Sequence, residues 1–349
     1  MTDLRIGLIG AGDISQYHLA AWSRVPDARV VAVCDRDLDR ARQRADQFGI
    51  DAVFADAGSM FAASELDAVD IATWRETHAE LVLLAAEHGV HVLCQKPLAP
   101  TLAEAVELTD AVAGRIRLMV HENRRFAPHF RQVRKWLVEG RVGPVRQSVM
   151  TTYRSSLRKG PDGVRLSVAR AAYFGRERRL MIGEALIHHL DVLRFLLGPL
   201  RVVAARTLHT EPDLPGETVA TILLETVPDG APVVLAGSYV APGFGGTNTS
   251  ASLGAQTSDR LELSGELSSI TMTDDRLALR GAYAEDAPVD YAATYQRCFD
   301  EAIAHFVRQL RSGEPFETSP EDNLQTLALV EDSYRLALDR CDESGVYVK

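Results

Sequence analysis

The chain has 349 residues, 46% of them hydrophobic and 25% charged, with a formal net charge of −10 at pH 7. This length suits two domains, and the composition is typical of a globular protein. The acidic balance argues against nucleic acid or an anionic membrane surface as the main partner. We find no apolar run long enough to predict a membrane span, and no signal-peptide pattern at residues 1–12.

Cysteine usage indicates the redox environment. Cys34, Cys94, Cys298 and Cys341 lack CxxC spacing. So few and so scattered cysteines in a long chain favour reduced thiols over a disulfide framework or a zinc site. We therefore expect a cytoplasmic protein without a zinc ion held by cysteines.

The first 120 residues alternate short β-type runs with amphipathic helical segments. The predicted strands are 4–9, 29–34, 68–73, 90–94 and 116–121. The predicted helices begin after Gly12 and also cover 37–48, 77–89 and 101–114. Strands that alternate with helices of this length predict a parallel, doubly wound sheet.

After residue 122 the pattern changes to consecutive strands, preceded by one predicted helix at 130–140. The predicted strands are 145–155, 201–210, 217–226, 232–241, 259–267, 268–274 and 276–281. This pattern predicts a large, mostly antiparallel open sheet. Two helices, 291–312 and 320–342, close the chain, and the last can pack back on the first domain. We therefore predict two domains, 1–122 and 123–349.

Titratable residues interrupt the apolar stretch 178–198. At about 100° per residue in an α-helix, Glu184, His188 and Asp191 fall within about 60° of one another. They therefore share one face, whereas His189 points away and is expected to pack or to face solvent. Burying such groups costs free energy unless they are paired or used. The stripe leaves three interpretations open: a metal site, a general base with orienting acids, or a satisfied core network.

The first predicted strand leads into a glycine loop, Gly10-Ala11-Gly12-Asp13-Ile14-Ser15. Gly10 permits a tight turn, Gly12 lets the backbone approach a pyrophosphate, and the small Ser15 permits close helix packing. The following helix offers free N–H groups to phosphates. We therefore expect Gly10, Gly12, Asp13 and Ile14 to contact a dinucleotide.

Asp35 ends the second predicted strand, where an acid hydrogen-bonds the adenosine ribose of NAD. A carboxylate there repels a 2′-phosphate, which favours NAD over NADP. Arg36, the next residue, is able to neutralise that phosphate or to stack on adenine. The sequence thus predicts NAD as the cofactor, with NADP as the alternative.

A basic segment covers 154–179 in an otherwise acidic chain. Its cations are Arg154, Arg158, Lys159, Arg165, Arg170, Arg176, Arg178 and Arg179. Guanidinium groups bind carboxylates and phosphates bidentately, so one or two of these can grip an anionic substrate, with Tyr153, Arg154 and Tyr173 as predicted pocket residues. The alternative is a solvated loop or an oligomer contact, paired with acids elsewhere. Segment 241–250 is predicted to be a loop that closes on substrate or on a neighbouring subunit.

Several motifs occur together in the order found in one known family. The glycine loop, Asp35, Gln95-Lys96-Pro97 after the fifth strand, "ATWRETH" (72–78) and "NRRFAP" (123–128) resemble the Gfo/Idh/MocA family of nicotinamide-dependent oxidoreductases. The resemblance covers nearly the whole chain and implies an N-terminal Rossmann domain. In that family the strand-end motif usually reads Glu-Lys-Pro, so the acid expected beside Lys96 is absent here.

The resemblance also implies residue roles. The catalytic set would be Lys96, His188 and Glu184, with Lys96 and His188 bracketing the hydroxyl being oxidised and Asp191 holding substrate. Removing a hydride leaves positive character on carbon, so the hydroxyl proton must also leave, and histidine suits the role of base at neutral pH. Lys96 would donate hydrogen bonds and share the proton. The remaining cofactor-side residues are Thr73, Trp74, His78, Gln95, Lys96 itself and Asn123. No metal ion is expected, because nicotinamide accepts the hydride without a Lewis acid.

These features predict an NAD-dependent dehydrogenase acting on a secondary hydroxyl of a sugar, polyol or sugar acid. A second hypothesis is a glycosidase of the same family, which would oxidise a ring hydroxyl, eliminate the aglycone and return the hydride. A third is a non-catalytic sensor that binds a dinucleotide, although the presence of Lys96 and His188 argues against it. The broad second-domain sheet indicates a homodimer or homotetramer, because large apolar sheet faces need cover.

Overall fold

The computed structural model describes residues 3–242 and 257–338, which form two compact units. The first unit contains residues up to 126 together with 296–327, and the second contains 127–295 together with residues from 328 onward. Most of the predicted loop 241–250 lies outside the described residues, as do Cys341 and the end of the last predicted helix.

The first unit contains a six-stranded parallel sheet with the order β3-β2-β1-β4-β5-β6. Its strands are β1 (Leu4–Ile9), β2 (Ala28–Cys34), β3 (Ala52–Phe54), β4 (Ala68–Ile71), β5 (His91–Gln95) and β6 (Leu118–His121). Its helices include α1 (Ser15–Trp22), α2 (Leu38–Phe48), α3 (Ala57–Ala63), α4 (His78–Glu87) and α5 (Leu102–Val112). The winding direction reverses between β1 and β4, and open α/β sheets bind ligands at such a point.

The sequence pattern predicts this sheet because its strands are buried on both faces. Ile6, Leu8, Val33 and Leu93 have no exposed surface, as expected for strands covered by helices on both sides. The parallel, doubly wound sheet is therefore confirmed. The elements β3 and α3 were not predicted, since segments of three and seven residues carry little periodicity.

The second unit contains an eight-stranded sheet with the order β14-β13-β12-β11-β7-β10-β9-β8. Its strands are β7 (Val145–Arg154), β8 (Leu200–Leu208), β9 (Val219–Thr226), β10 (Pro232–Ser238), β11 (Thr257–Gly265), β12 (Ser268–Met272), β13 (Arg276–Gly281) and β14 (Glu285–Pro288). Neighbours in this order pair antiparallel, apart from the parallel pair β7 and β10. The predicted mostly antiparallel open sheet is confirmed, and the short β14 is an addition to it.

The helices after the first sheet include α6 (Pro128–Val138), α7 (Leu166–Arg170) and α8 (Ile187–Leu197), and the described chain closes with α9 (Tyr291–Ser312) and α10 (Pro320–Leu338). A Cβ on Gly237 of β10 would lie 2.3 Å from the Met181 side chain, so glycine lets the segment before α8 lie directly on the strand. Among residues 3–242 and 257–338, no helix has the length and apolarity needed to cross a membrane.

Candidate active site

The glycine loop has the backbone shape that a pyrophosphate requires. Gly10 has a φ of +101°, which residues with a side chain rarely adopt, and a Cβ there would lie 2.7 Å from the Ala72 carbonyl oxygen. A Cβ on Gly12 would meet nothing within 4 Å, so this backbone borders open space. Ser15 is fully buried, and its hydroxyl donates to the Gly12 carbonyl at 2.6 Å, which closes the first turn before α1.

A cavity of about 440 Å³ opens beside this loop. Six of the predicted cofactor residues line it: Gly10, Gly12, Asp35, Arg36, Thr73 and Trp74. The carboxylate of Asp35 is fixed because it accepts the N–H of Ala11 at 2.7 Å and that of Asp37 at 2.9 Å. Sequence reasoning missed Arg40 and Leu81, which add a second cation and apolar surface to the wall. These residues fit a dinucleotide with an acid for its ribose.

Two predicted cofactor residues of the loop do not line this cavity. Asp13 is exposed, and its carbonyl accepts from the Gln16 side chain at 2.9 Å. Ile14 packs against the hydrophobic cluster around Leu8. The sequence pattern of the glycine loop does not distinguish residues that support the turn from residues that contact the cofactor, because both kinds lie in the same turn.

His78 and Asn123 are buried and also lie away from the cavity wall. The His78 ring nitrogens lie 2.9 Å from the Pro97 carbonyl oxygen and 3.2 Å from that of Thr73. Burial lowers the pKa of His78, which favours the neutral ring. A neutral ring has one N–H, so His78 donates to one of these two carbonyls while its other ring nitrogen lies beside the second. The Asn123 carbonyl accepts the Phe126 N–H at 3.0 Å.

A chain of hydrogen bonds explains why residue 95 is glutamine. The buried Asp70 accepts from His18 Nδ1 at 2.8 Å and from Trp22 Nε1 at 2.7 Å. The Gln95 amide nitrogen donates to His18 Nε2 at 3.1 Å, and its oxygen accepts the Lys96 N–H at 2.8 Å. A glutamate at 95 would keep this contact only with a proton on its own carboxyl group or with an imidazolium at His18. The amide thus joins the buried network to the backbone of Lys96.

Glu122 directly follows β6 and was missed by the sequence analysis. It has no exposed surface, and burial raises its pKa to about 7, against the opposing influence first of Lys96 and then of Arg125. Its position at the end of a strand was the only available signal. Lys96 itself is half-buried at the end of the neighbouring β5.

In the second unit, Glu184 lies in a π-helix, Met181–Leu186, which precedes α8. The prediction that Glu184, His188 and Asp191 follow one another at α-helical spacing is therefore wrong between Glu184 and His188, because a π-helix has more residues per turn. The buried carboxylate of Glu217 accepts the N–H groups of Leu180 at 3.2 Å and Ile182 at 3.0 Å. These bonds replace helical partners at the start of the π turn.

Tyrosines orient the carboxylates on both sides of this π turn. The Tyr173 hydroxyl donates to Glu184 at 3.1 Å, and burial, followed by the Glu184 charge, raises the pKa of Tyr173. The Tyr334 hydroxyl donates to Glu217 at 2.6 Å and accepts the Gly183 N–H at 3.1 Å. The structure thus brings Tyr173, a predicted pocket residue, into contact with Glu184, a predicted catalytic residue of the same unit.

His188 and Asp191 both lie in α8, where α-helical spacing holds. His188 is half-buried, whereas Asp191 has no exposed surface. His189 is also buried, with Nδ1 donating to the Ala185 carbonyl at 3.0 Å and Nε2 lying 3.1 Å from Asp259. The expectation that His189 packs is met, with Asp259 of β11 as its partner.

Acids of the same unit account for much of the basic segment. Arg165 pairs with Glu211 at 2.7 Å and with Asp213, and Arg179 forms a bidentate pair with Glu331 at 2.6 Å. Lys159 also pairs with Asp213, and the two cations together lower the Asp213 pKa to about 2. For these residues, pairing with acids elsewhere is the correct interpretation.

Arg154 differs from these cations. Its Nε and Nη2 atoms are buried and have no hydrogen-bond partner among the described residues, and the same holds for the Tyr239 hydroxyl. The guanidinium carbon lies 5.4 Å from the centre of the Tyr239 ring. Tyr153, its half-buried neighbour, is the last predicted pocket residue.

In the described part of the chain, no three His, Cys, Asp or Glu side chains are grouped so that they could hold a metal ion.

Comparison with known proteins agrees with this geometry. Residues 4–122 match a family model described as "Oxidoreductase family, NAD-binding Rossmann fold", and residues 130–271 match the "GFO/IDH/MocA C-terminal domain". A D-apiose dehydrogenase of Paraburkholderia graminis is 36% identical, over 94% of this chain and 86% of the relative. An inositol 2-dehydrogenase of Rhizobium meliloti is 28% identical, over 97% of this chain and 98% of the relative.

Solved structures extend the comparison to the fold. The crystal structure of an oxidoreductase from Agrobacterium radiobacter, in complex with NAD+, L-tartaric acid and magnesium, has a TM-score of 0.86. It is 31% identical to this chain, and the match covers 97% of both chains. The chain therefore belongs to the Gfo/Idh/MocA oxidoreductase family, and its first sheet is that family's NAD-binding Rossmann domain.

Proposed function

We propose that the protein is an NAD-dependent dehydrogenase that oxidises a secondary hydroxyl of a sugar, polyol or sugar acid. The observation that carries this proposal is the cavity beside the glycine loop, with Asp35 fixed in its wall, in a chain whose full-length relatives are named as dehydrogenases of apiose and inositol. Apiose and inositol are both rich in hydroxyl groups, so the substrate class is the same.

Four side chains of the protein would take part in the reaction. Bound NAD accepts the hydride, so the chain itself has to bind the substrate and remove its hydroxyl proton. We propose that His188 accepts that proton and that Lys96 donates hydrogen bonds to the substrate oxygen. Glu184, held by Tyr173, and the buried Asp191 would orient substrate hydroxyls.

Purified protein should reduce NAD when it is mixed with one group of substrates from a panel of polyols, aldoses, sugar acids and glycosides. Absorbance of the reduced nicotinamide measures the reaction directly. Cleavage of a glycoside that requires NAD without net reduction would favour the glycosidase instead. Tight NAD binding without either reaction would contradict both the dehydrogenase and the glycosidase hypotheses and would favour the non-catalytic sensor.

Arg154 indicates that the substrate carries a carboxylate. Buried donors without a hydrogen-bond partner, such as Nε and Nη2 of Arg154, cost free energy, and a carboxylate is the ligand that matches the planar donors of a guanidinium. The Tyr239 hydroxyl offers a further donor close by, since burial raises its pKa to about 12 and keeps it protonated. We therefore favour the sugar acid, or another hydroxy acid, among the three substrate groups.

Changing Arg154 to methionine should remove a preference for acids. We expect kcat/KM for the best acid to fall about 10- to 100-fold, because a charge-assisted hydrogen bond contributes ~1.5–3 kcal/mol. The matched neutral polyol should change little. Steady-state kinetics on both substrates measure the ratio, with the exposed Arg158 changed to methionine as the control. An equal loss on both substrates would contradict an anion-binding role.

Asp35 should determine cofactor preference. In an Asp35→Asn variant, the side-chain oxygen can still accept the Ala11 N–H, but the charge is lost. We expect NAD to bind on the order of tenfold more weakly and NADP to bind more tightly, since Arg36 and Arg40 remain in the cavity wall. Calorimetric titration with both cofactors measures this, with Asp39→Asn on the exposed face of α2 as the control. Unchanged NAD affinity would exclude ribose recognition by Asp35.

We further propose that the protein is a cytoplasmic homodimer or homotetramer. Val203 on β8 and Leu223 on β9 are exposed large apolar side chains of the second sheet, and such surface favours burial against another copy. Cys34, Cys94 and Cys298 are buried free thiols, as a reducing compartment allows. Light scattering of the purified protein gives the number of subunits.

A further inference from the structure

We propose that Glu122 is the buried acid that pairs with Lys96 and holds its ammonium group in position. The inference deepens the proposed dehydrogenase function, because it makes Glu122 a positioning residue for Lys96. It concerns two residues of the same unit, so it can be tested without substrate or cofactor.

Strand register brings the two residues together. β5 and β6 are parallel neighbours, and Gln95 lies opposite His121. Lys96 directly follows β5, and Glu122 directly follows β6. The two residues therefore leave the same edge of the sheet side by side, where neighbouring strands are about 4.8 Å apart. The Glu122 N–H donates to the Val120 carbonyl at 2.8 Å, which turns the chain sharply at that point.

Burial makes a partner for the Glu122 carboxylate necessary. The residue has no exposed surface, and an ionised carboxylate taken out of water needs a nearby cation. The cations that face it are Lys96, Arg124 and Arg125. A further titratable neighbour is Cys298 of α9, whose pKa burial raises to about 12, so it carries no charge at neutral pH.

Lys96 is the cation best suited to this partnership. Arg125 already donates to the carboxylate of Asp322 at 2.6 Å and to the Glu317 carbonyl at 2.9 Å. Among the charges that lower the Glu122 pKa, that of Lys96 has the largest effect, and that of Arg124 is smaller than that of Arg125. Gln95, the neighbour of Lys96, contributes only a neutral amide.

The pair changes charge within the pH range in which the enzyme is expected to work. Burial raises the Glu122 pKa to about 7. Below that pH Glu122 holds one proton and is neutral, so it presents no negative charge to the Lys96 ammonium group. Above it the proton has left to solvent, and the carboxylate fixes the ammonium group so that its donors are available to a substrate oxygen.

The first test is a titration of the cofactor-free protein by nuclear magnetic resonance. Glutamate side chains labelled with carbon-13 report carboxyl ionisation, and the Glu122→Gln variant identifies the Glu122 signal. In a Lys96→Met variant the Glu122 midpoint should rise by at least about one pH unit, since a nearby opposite charge shifts a pKa by ~1–3 units. Lys135→Met, an exposed lysine of α6, is the matched control and should leave it unchanged.

The second test observes the pair from the lysine side. The chain has only four lysines, Lys96, Lys135, Lys159 and Lys349, so a lysine-labelled sample gives few signals to assign. The Lys96 side-chain signal should move with a midpoint near pH 7 in the parent protein and lose that movement in Glu122→Gln. Glu122→Asp, which keeps the charge, should restore it in part.

Kinetics then connect the pair to the reaction. Glu122→Gln should lower kcat for the substrate about 10- to 100-fold and remove the activity limb near pH 7, while NAD affinity stays within about twofold. If Glu122 titrates identically with and without Lys96 in folded protein, the pairing is wrong. If the pairing holds but no substrate is oxidised by the parent protein, the proposed function fails and the inference about Glu122 and Lys96 stands.

Discussion

Replacing Lys96 by methionine should lower kcat/KM about 10³-fold, while the protein stays folded and binds NAD. Methionine keeps the length and apolar stem of the side chain but cannot donate a hydrogen bond or carry a charge. Loss of a group that assists proton transfer costs about 10²–10⁴-fold. Steady-state kinetics measure the effect, and thermal unfolding with and without NAD confirms that the Rossmann unit is intact.

Two outcomes would contradict this role for Lys96. Retention of more than about a tenth of the parent kcat/KM would leave Lys96 as a surface cation at the end of β5. Loss of activity together with loss of NAD binding would assign Lys96 to the cofactor alone. The exposed Lys135 changed to methionine serves as the control for the substitution type.

Replacing His188 by asparagine should lower kcat by about 10²–10⁴-fold with little change in NAD affinity, because a general base acts on the proton in the transition state. The pH dependence of kcat should flatten in the variant. His189→Asn is the matched control, because that histidine is buried and bonds to Ala185 and Asp259. It should lower the unfolding temperature but leave kcat per folded molecule within a few-fold.

Equal effects of the two histidine variants would contradict the assignment of His188. If kcat fell in both variants in proportion to the loss of folded protein, the two histidines of α8 would have only a packing role. Retained activity in His188→Asn, with a normal pH profile, would move the role of base to Lys96 or to Glu184, whose carboxylate already accepts from Tyr173.

The sequence by itself determined the fold class and the cofactor side of the site. Alternating strands and helices predict the parallel sheet because each element buries a periodic apolar face, and the glycine loop follows from local backbone requirements at Gly10 and Gly12. Asp35 was predictable because its place at the end of β2 is a local feature of the chain. Each of these signals lies within a few residues of the position that it identifies.

Only the tertiary structure decided how charged and polar groups are paired. Gln95 is explained by His18 and Asp70, residues 77 and 25 positions away, and Arg165 is paired with acids some 50 positions on. The π turn at Glu184 depends on Glu217 and Tyr334, which no local period reveals. Glu122 and Arg154 stand out only once burial is known. Hydrogen bonds and ion pairs between distant segments depend on which side chains the fold places together, and a local sequence pattern carries no record of that.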